Sequence, residues 1–240
     1  MYKLIYLARR NPTVSRADWP ETWRSHATFA NQFAFVANDI TYSCYANRID
    51  DPSLDGKPIE LPCLSSEHDG VALGVSPTVE TLQGGGFSKD ERALIDQDEL
   101  RVFDRYTPEF SFWSKETRFV DGPVGEAAVF RFLRRKEGVS REDYNAFLEG
   151  PYGELCKEVA PALGAQRWTM NNTVDGPPVD FPFECIDECW FPSVDAAIEA
   201  FGKPEMNRLP EALAEVCDVD KGVTMLTRPT HRWPREPKPG

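Results

Sequence analysis

His26 is the most informative of the three histidines in this 240-residue chain, because it shares a helix face with two tryptophans. Trp19, Trp23, His26 and Ala30 follow one another at spacings of four, three and four, which places them on one side of an α-helix. Free imidazole has a pKa of about 6.5, so it can accept and return a proton at neutral pH. Aldol cyclisation, dehydration and enolisation all need such a group. A core histidine with a single hydrogen bond is the alternative interpretation.

The residues around His26 predict an apolar pocket suited to an aromatic or polyketide-like compound. We expect Trp19, Trp23, Phe35 and Tyr42 to contact the substrate, since ligand pockets are lined mainly by aromatic and aliphatic side chains.

Other polar side chains are candidate partners of His26. Tyr45 is predicted to be catalytic, with Tyr6 and Tyr42 as further phenol donors that could stabilise an enolate oxygen. His68, followed by Asp69, ends a long loop and is predicted to act as a second base or as part of a lid. The alternatives are core aromatics for the tyrosines and a solvated loop residue for His68.

No metal site or cofactor is expected from the residue spacing. The histidines and carboxylates do not form HExxH or another recognisable ligand pattern. Cys185, Asp187 and Cys189 alternate along one predicted strand and could line a barrel interior. Buried thiols beside an exposed carboxylate would produce the same pattern.

The elements that position these groups occur twice. Val139–Tyr144 repeats Val14–Trp19 at a shift of 125 residues, and each copy follows an apolar run ending in a basic pair, Leu4–Arg10 and Val129–Arg135. Ser15 followed by Asp18 resembles a capping box and predicts that the first helix begins there. The repeat predicts two similar domains, residues 1–122 and 123–240.

Each half is predicted to contain strand, helix, strand, strand, helix and strand, the ferredoxin-like order. In the first half the predicted elements are a strand over Tyr2–Arg9, the helix of His26, a strand within Phe33–Asn47, a loop over Asp50–Asp69, a strand over Val71–Val75, helices over Pro77–Leu82 and Lys89–Phe103, and a strand over Phe110–Val120. In the second half they are Glu126–Arg135, Arg141–Leu163, Gln166–Thr173, Phe183–Phe191, Val194–Phe201, Leu209–Cys217 and Val223–Trp233. The triple glycine Gly84–Gly86 marks a helix stop or hinge, and the tail from Pro234 is expected to be extended.

Composition excludes several functional classes. The net charge of −12 divides equally between the halves, so neither carries the basic surface of a protein that binds nucleic acid or anionic membranes. The apolar run at the N-terminus is too short for a membrane span or a signal peptide. Six cysteines without a CxxC pair are typical of free thiols in a reducing compartment. A cytoplasmic protein without nucleic-acid or membrane partners is therefore expected.

Several stretches resemble the EthD family. They are Tyr2–Leu7, the helix with Ser15 and His26, and Asp98–Asp104 followed by Phe110–Asp121. The resemblance covers both halves and is stronger in the first. It implies an α+β fold in which two tandem ferredoxin-like units form an intramolecular dimeric α+β barrel. Association of two chains as a homodimer stays open.

The resemblance also implies chemistry. Family members include polyketide cyclases and dehydratases that work without metal or organic cofactor, and in them a histidine near the end of the first helix faces the pocket. His26 matches that position without the Gly-Pro that often follows, whereas Glu149–Pro151 in the second copy keeps Gly-Pro and has no histidine. One active pocket would therefore belong to the first half.

Three functions follow as hypotheses. The first is a cofactor-independent lyase, dehydratase, cyclase or isomerase acting on an aromatic or polyketide-like substrate, with His26 transferring the proton. The second is a cofactor-free monooxygenase. The third is a carrier that binds a small hydrophobic molecule without converting it.

Overall fold

The computed structural model of the chain describes residues 1–59, 61–83 and 86–234. Gly84 and Gly85 of the triple glycine, and the tail after Pro234, lie outside these residues, so the predictions made for them stay predictions. The strands are β1 (Tyr2–Ala8), β2 (Tyr42–Arg48), β3 (Ser53–Leu54), β4 (Lys57–Pro58), β5 (Gly70–Ser76), β6 (Ser111–Val120), β7 (Ala127–Leu133), β8 (Arg167–Thr173), β9 (Cys185–Phe191) and β10 (Val223–Trp233). The α-helices are α1 (Trp19–Ala30), α2 (Ala34–Asp39), α3 (Val79–Leu82), α4 (Lys89–Val102), α5 (Arg141–Phe147), α6 (Gly153–Leu163), α7 (Val194–Phe201) and α8 (Pro204–Leu213).

Eight of the strands form a closed antiparallel barrel in the order β1-β5-β2-β10-β7-β9-β8-β6. Within the first half the neighbours run β6-β1-β5-β2, and within the second half β10-β7-β9-β8, so the same order occurs twice. The pairs β2–β10 and β6–β8 join the halves and close the barrel. The result is an α+β fold with the helices outside the barrel.

The strand register shows which side chains face the barrel interior and which face the helices, because side chains of directly paired residues point to the same face of a sheet. Ile5, Leu73 and Cys44 are paired across β1, β5 and β2 and face the barrel interior. Tyr6, Ala72 and Tyr45 are paired across the same strands and face outwards, towards the helices. The outer face of each half is therefore where helices and sheet enclose space.

The regular part of α1 begins later than predicted. Ser15 does accept a hydrogen bond from the Asp18 amide, at 3.1 Å, but residues 16–18 form a turn and the helix starts at Trp19. Pro20 explains the delay, since it has no N–H to bond to the Arg16 carbonyl. In the second copy, without that proline, Ser140 caps α5 directly.

Three other predicted elements differ from the structure. The stretch expected to hold only a strand, Phe33–Asn47, contains α2 before β2. The Asp50–Asp69 loop contains the two-residue strands β3 and β4. The last helix begins at Pro204 and ends at Leu213, earlier than the predicted Leu209–Cys217, because Pro204 occupies the first turn, where a missing N–H is tolerated.

The repeated motif makes the same contacts in both halves. The Arg16 guanidinium donates to the carbonyl oxygen of Arg48, and Arg141 donates to that of Thr173, positions that are again 125 residues apart. Arg10 pairs with Asp69 just before β5, and Arg135 pairs with Glu184 just before β9. The repeated arginines thus hold the chain before each first helix against the strands of its own half.

One end of the barrel interior contains buried charges from both halves. Lys3 lies between two carboxylates, with its Nζ 2.6 Å from Glu116 and 2.7 Å from Glu188. All three side chains are almost fully buried, and Glu116 also pairs with Arg118, at 2.6 Å, so Glu188 is the carboxylate that depends most on the lysine for its compensation. Among the described residues, no helix combines the length and apolar character needed to cross a membrane.

Candidate functional site

A cavity of about 320 Å³ lies in the first half, between the outer face of the sheet and helices α1, α2 and α4. Its floor is formed by strand residues that include Leu4, Tyr6, Ser43, Tyr45, Ala72 and Gly74. The helices contribute His26, Ala30, Phe35, Val36, Ile95 and Glu99. Asp175, Gly176 and Pro178, from the loop between β8 and β9 of the second half, also border it. Its size lies at the lower end of the range of small-molecule sites, about 300–1,000 Å³.

His26 is held in the cavity wall by a carboxylate. Its Nδ1 lies 2.6 Å from Oδ2 of Asp98 on α4. Because an ionised carboxylate only accepts hydrogen bonds, Nδ1 carries the proton, and Nε2 remains able to accept one. Phe103 packs edge-on against the ring, with centroids 5.2 Å apart. Asp98 therefore fixes both the orientation and the tautomer of the imidazole.

Asp98 is itself held in its ionised form. Arg101 donates to its Oδ1 at 2.7 Å, and that arginine also reaches Ser25 on α1. Burial alone would raise the pKa of Asp98, but the hydrogen bonds from His26 and Arg101 bring it below its usual range. The His26–Asp98 pair is thus an imidazole oriented by a carboxylate, the arrangement used by general bases.

Two phenols occupy the cavity floor. Tyr6 and Tyr45 are both paired with Ala72 on the central strand, so the small alanine side chain leaves space above it for the two rings. Burial raises the pKa of Tyr6 well above its usual range and that of Tyr45 to about 12. Both hydroxyls are therefore protonated at neutral pH and able to donate hydrogen bonds towards a bound molecule.

Of the predicted substrate-contacting residues, the structure places Phe35 on the cavity and the others elsewhere. Trp19 and Trp23 are fully buried and stack on each other at 4.8 Å. Trp23 packs behind the phenols, 6.2 Å from Tyr6 and 5.3 Å from Tyr45, and closely approaches Gly70, where a Cβ would collide with its ring. These tryptophans support the floor of the cavity from behind and do not line it.

Tyr42 and His68 are also separated from His26. Tyr42 faces the barrel interior on the same side of β2 as Cys44, and its hydroxyl has no partner among the described residues. The Nδ1 of His68 lies 2.7 Å from the hydroxyl of Ser65, and His68 is not among the residues that line the cavity. Burial and the charge of Arg9 lower its pKa to about 4. Of the predicted catalytic residues, the structure brings together His26 and Tyr45.

In the second half, buried polar side chains occupy the position above the central strand, and a smaller cavity of about 90 Å³ lies beside Arg131, between β7 and α8. Asp187 occupies the position of Ala72, since it pairs with Arg131 and Met170 as Ala72 pairs with Tyr6 and Tyr45. It is fully buried and accepts hydrogen bonds from Arg131 at 2.8 Å and from Tyr152 at 2.7 Å. This network takes the place that a ligand could occupy in the first half.

The row of Cys185, Asp187 and Cys189 does not line the barrel interior, which corrects the sequence interpretation. Both thiols pack in the layer between the second sheet and its helices, and the carboxylate is neither exposed nor free, because it pairs with Arg131. Within residues 1–59, 61–83 and 86–234, no group of three or more His, Cys, Asp or Glu side chains could hold a metal ion.

Sequence reasoning missed Asp98 as the partner of His26. The two residues are 72 positions apart, and the charged helix α4 carries several carboxylates along its length. A usable signal is that Asp98 and Ile95 lie three positions apart on α4, so the carboxylate neighbours an apolar residue that lines the cavity.

Residues 136–213 match the model of the EthD domain. The matched segment lies in the second half, whereas the sequence analysis placed the stronger resemblance in the first. No curated protein shows significant sequence similarity to the chain.

Solved structures resemble the whole chain. A proposed monooxygenase from Fusobacterium nucleatum is 7% identical with a TM-score of 0.60, and covers 100% of this chain and 95% of its own. An anthrone oxidase-like protein is 11% identical with a TM-score of 0.58, and the alignment covers 99% of this chain and 93% of that protein. A proposed monooxygenase from Lactobacillus acidophilus is 10% identical with a TM-score of 0.51, and the alignment covers 96% of this chain and 94% of that protein. Residues 136–213 thus resemble the EthD domain, and the overall fold of the chain is similar to that of the dimeric α+β barrel proteins.

Proposed function

We propose that the chain is a small-molecule enzyme in which His26 removes a proton from a carbon atom next to a carbonyl group, or from a phenol, of an aromatic substrate. The observation that carries this proposal is the His26–Asp98 hydrogen bond at the wall of the cavity, because it leaves Nε2 as the proton acceptor. The phenols of Tyr6 and Tyr45 border the same space.

The proton transfer can be written in full. Nε2 of His26 takes the proton, and the electron pair of the C–H bond moves through the carbonyl group to its oxygen, forming an enolate. A hydroxyl group of Tyr45 or Tyr6 donates a hydrogen bond to that oxygen, and such a preorganised donor contributes about 10²- to 10³-fold in rate. In isomerisation the imidazolium returns its proton to another carbon of the enolate. In dehydration the enolate expels a hydroxyl group from the neighbouring carbon, and that group takes the proton and leaves as water. In cyclisation the enolate carbon forms a bond to a second carbonyl carbon, whose oxygen takes the proton.

A cofactor-free monooxygenase is the second candidate, favoured by the likeness to two proposed monooxygenases and an anthrone oxidase-like protein. The same enolate would pass electrons to O₂, and an activated CH₂ group would become C=O with release of one water. His26 would have the same role, so both candidates share the first step.

Exchange of an acidic C–H proton tests this step without knowledge of the natural substrate. The protein is incubated with 2-tetralone in D₂O, and the loss of the proton next to the carbonyl is followed by NMR. We expect the wild type to accelerate the exchange and His26→Gln to lose at least about 100-fold of that acceleration, as is typical of a general base. His68→Gln is the matched control, since His68 does not line the cavity.

The outcomes separate an enzyme from a carrier. If 2-tetralone binds to both the wild type and His26→Gln and neither accelerates exchange, the protein is a carrier and His26 is structural. Equal acceleration by the wild type and His26→Gln would refute the assignment of His26 as the base.

We also infer that residues 1–122 and 123–240 are two ferredoxin-like units that form the barrel within one chain. The repeated strand order and the matched contacts of Arg16 and Arg141 support this division. A homodimer would have to associate through helices and loops, because the closed barrel has no free strand edge.

A further inference from the structure

The carboxylates in the inner part of the cavity wall already have partners. Glu99 is buried, and its two oxygens accept from Arg92 and from the backbone amide of Thr107, both at 2.9 Å. The oxygens of Asp98 are occupied by His26 and Arg101. A cationic ligand would therefore lose its hydration without finding an unoccupied carboxylate in this part of the wall.

Arg92 is the cationic side chain that borders the cavity among the described residues, and its charge is already compensated. Its Nε lies 2.7 Å from Asp96, and its Nη2 lies 2.9 Å from Glu99. A ligand carboxylate that approached the guanidinium would therefore also meet the negative charges of Asp96 and Glu99.

The charges around the cavity are unbalanced. Asp175, contributed by the second half, lies at the exposed edge and makes no ion pair within the described part of the chain. Asp96, Asp98 and Glu99 are matched by only two arginines, Arg92 and Arg101. The surroundings thus carry excess negative charge, which repels an anion.

The remaining polar groups in the cavity are neutral hydrogen-bonding groups. They include the hydroxyls of Tyr6, Tyr45, Ser43 and Ser111 and the amides of Asn31 and Gln83. Such groups match carbonyl and hydroxyl oxygens. Combining this set with the charge distribution, we infer that the cavity selects uncharged aromatic carbonyl or hydroxyl compounds, admits aromatic cations less well, and discriminates most strongly against aromatic carboxylates.

This inference rests on the proposed assignment of the cavity as the substrate site, and it is tested by binding alone. Three naphthalene probes share one ring system: 2-acetylnaphthalene is neutral, 2-naphthoate is an anion and 2-naphthylmethylammonium is a cation. Their fluorescence is titrated with the full chain at pH 7 and low salt. We expect 2-acetylnaphthalene to bind most tightly, and 2-naphthoate at least about tenfold more weakly.

Charge variants test the cause of the selectivity. Asp175→Asn and Asp96→Asn each remove one negative charge, and the second also frees a partner position on Arg92. Either should improve the affinity of 2-naphthoate relative to 2-acetylnaphthalene by about two- to fivefold. Glu158→Gln is the matched control, because it removes the same charge from an exposed pair between Glu158 on α6 and Arg208 on α8, and it should leave the ratio unchanged.

The results separate this inference from the proposed function. Binding of 2-naphthoate as tightly as 2-acetylnaphthalene, or equal effects of Glu158→Gln and Asp175→Asn, would overturn the selectivity. Selective binding of the neutral probe together with no catalysed proton exchange would support the selectivity and refute the enzymatic role. Failure of all three probes to bind would overturn the assignment of the cavity itself.

Discussion

Replacement of Asp98 by Asn keeps the size of the side chain and removes its charge, so it tests whether Asp98 positions the catalytic proton. The Asn amide can donate a hydrogen bond to Nδ1 of His26, whereas the carboxylate can only accept one from it. In that case the proton of the neutral imidazole moves to Nε2. The nitrogen at the cavity would then no longer accept a proton from the substrate.

The expected losses follow from these contacts. A general base contributes typically about 10²- to 10⁴-fold, so Asp98→Asn should lower the rate of 2-tetralone exchange by at least about 100-fold, while the affinity for 2-tetralone changes little. Hydrogen bonds to charged groups contribute about 1.5–3 kcal/mol when buried, and Arg101 is half exposed. The free energy of unfolding should therefore fall by about 1–2 kcal/mol at pH 7.

The loss of stability should also depend on pH. The pKa of Asp98 is lowered in the folded chain, so its ionised form stabilises the fold fully above the unfolded pKa of about 4. That contribution disappears as the pH falls through the lowered pKa of the folded state. The difference in unfolding free energy between the wild type and Asp98→Asn should thus be constant from about pH 5 to 8 and shrink below about pH 4, as measured by urea denaturation.

Asp90→Asn provides the control for this prediction. Asp90 is an exposed carboxylate in the first turn of the same helix and is not among the residues that line the cavity. It should keep wild-type exchange activity. Wild-type activity in Asp98→Asn, or an equal loss in Asp90→Asn, would refute the argument that Asp98 sets the tautomer of His26.

Three further predictions concern the cavity floor, the barrel and the repeat. Tyr45→Phe should lower the rate of 2-tetralone exchange by about 100- to 1,000-fold with little change in binding, because the enolate loses a hydrogen-bond donor. NMR time courses measure the rate, and fluorescence titration measures the binding. Lys3→Met should lower the unfolding free energy by about 3–5 kcal/mol in urea denaturation, since the buried Glu188 loses the cation that compensates it. Arg141→Ala should lower it by about 1–3 kcal/mol, because the carbonyls at the end of β8 lose their donor.

Each of these has a matched comparison. Tyr106→Phe changes an exposed tyrosine and should leave exchange unaffected. Lys221→Met removes an exposed pair with Asp218 and should change stability by less than about 1 kcal/mol. Arg16→Ala should resemble Arg141→Ala, as the two arginines make equivalent contacts. Equal effects of Lys3→Met and Lys221→Met would contradict the role given to the buried cluster.

The strands and several helices could be predicted from the sequence, because apolar spacing and end signals within a short stretch determine where such an element begins and ends. The predicted bounds of α7, Val194–Phe201, and of β10, Val223–Trp233, coincide with the structure, as both stretches combine a regular apolar pattern with clear end signals. The 125-residue repeat predicted two similar halves, and the arginines of both copies make equivalent contacts in the structure.

The cavity could be predicted only in part, because spacing along a helix gives the face and not the depth of each position. Trp19, Trp23 and His26 do share a face of α1, yet the two tryptophans pack over Phe103 and the phenols, and only His26 reaches the cavity. Asp98 becomes its partner through the packing of α4 against α1, which no short-range pattern encodes.

The two halves show why a match to a family model does not locate the cavity. The matched segment, residues 136–213, includes Arg141 and Asp187, and the arginine performs in the second half the same structural task as Arg16 in the first. The cavity depends instead on one position of the central strand. Ala72 leaves room above β5, whereas Asp187 fills the equivalent space with a carboxylate that needs Arg131 and Tyr152 as partners. The repeated arginine contacts therefore belong to the barrel that both halves build, whereas the larger cavity of the first half lies above a position of the central strand that differs between the halves.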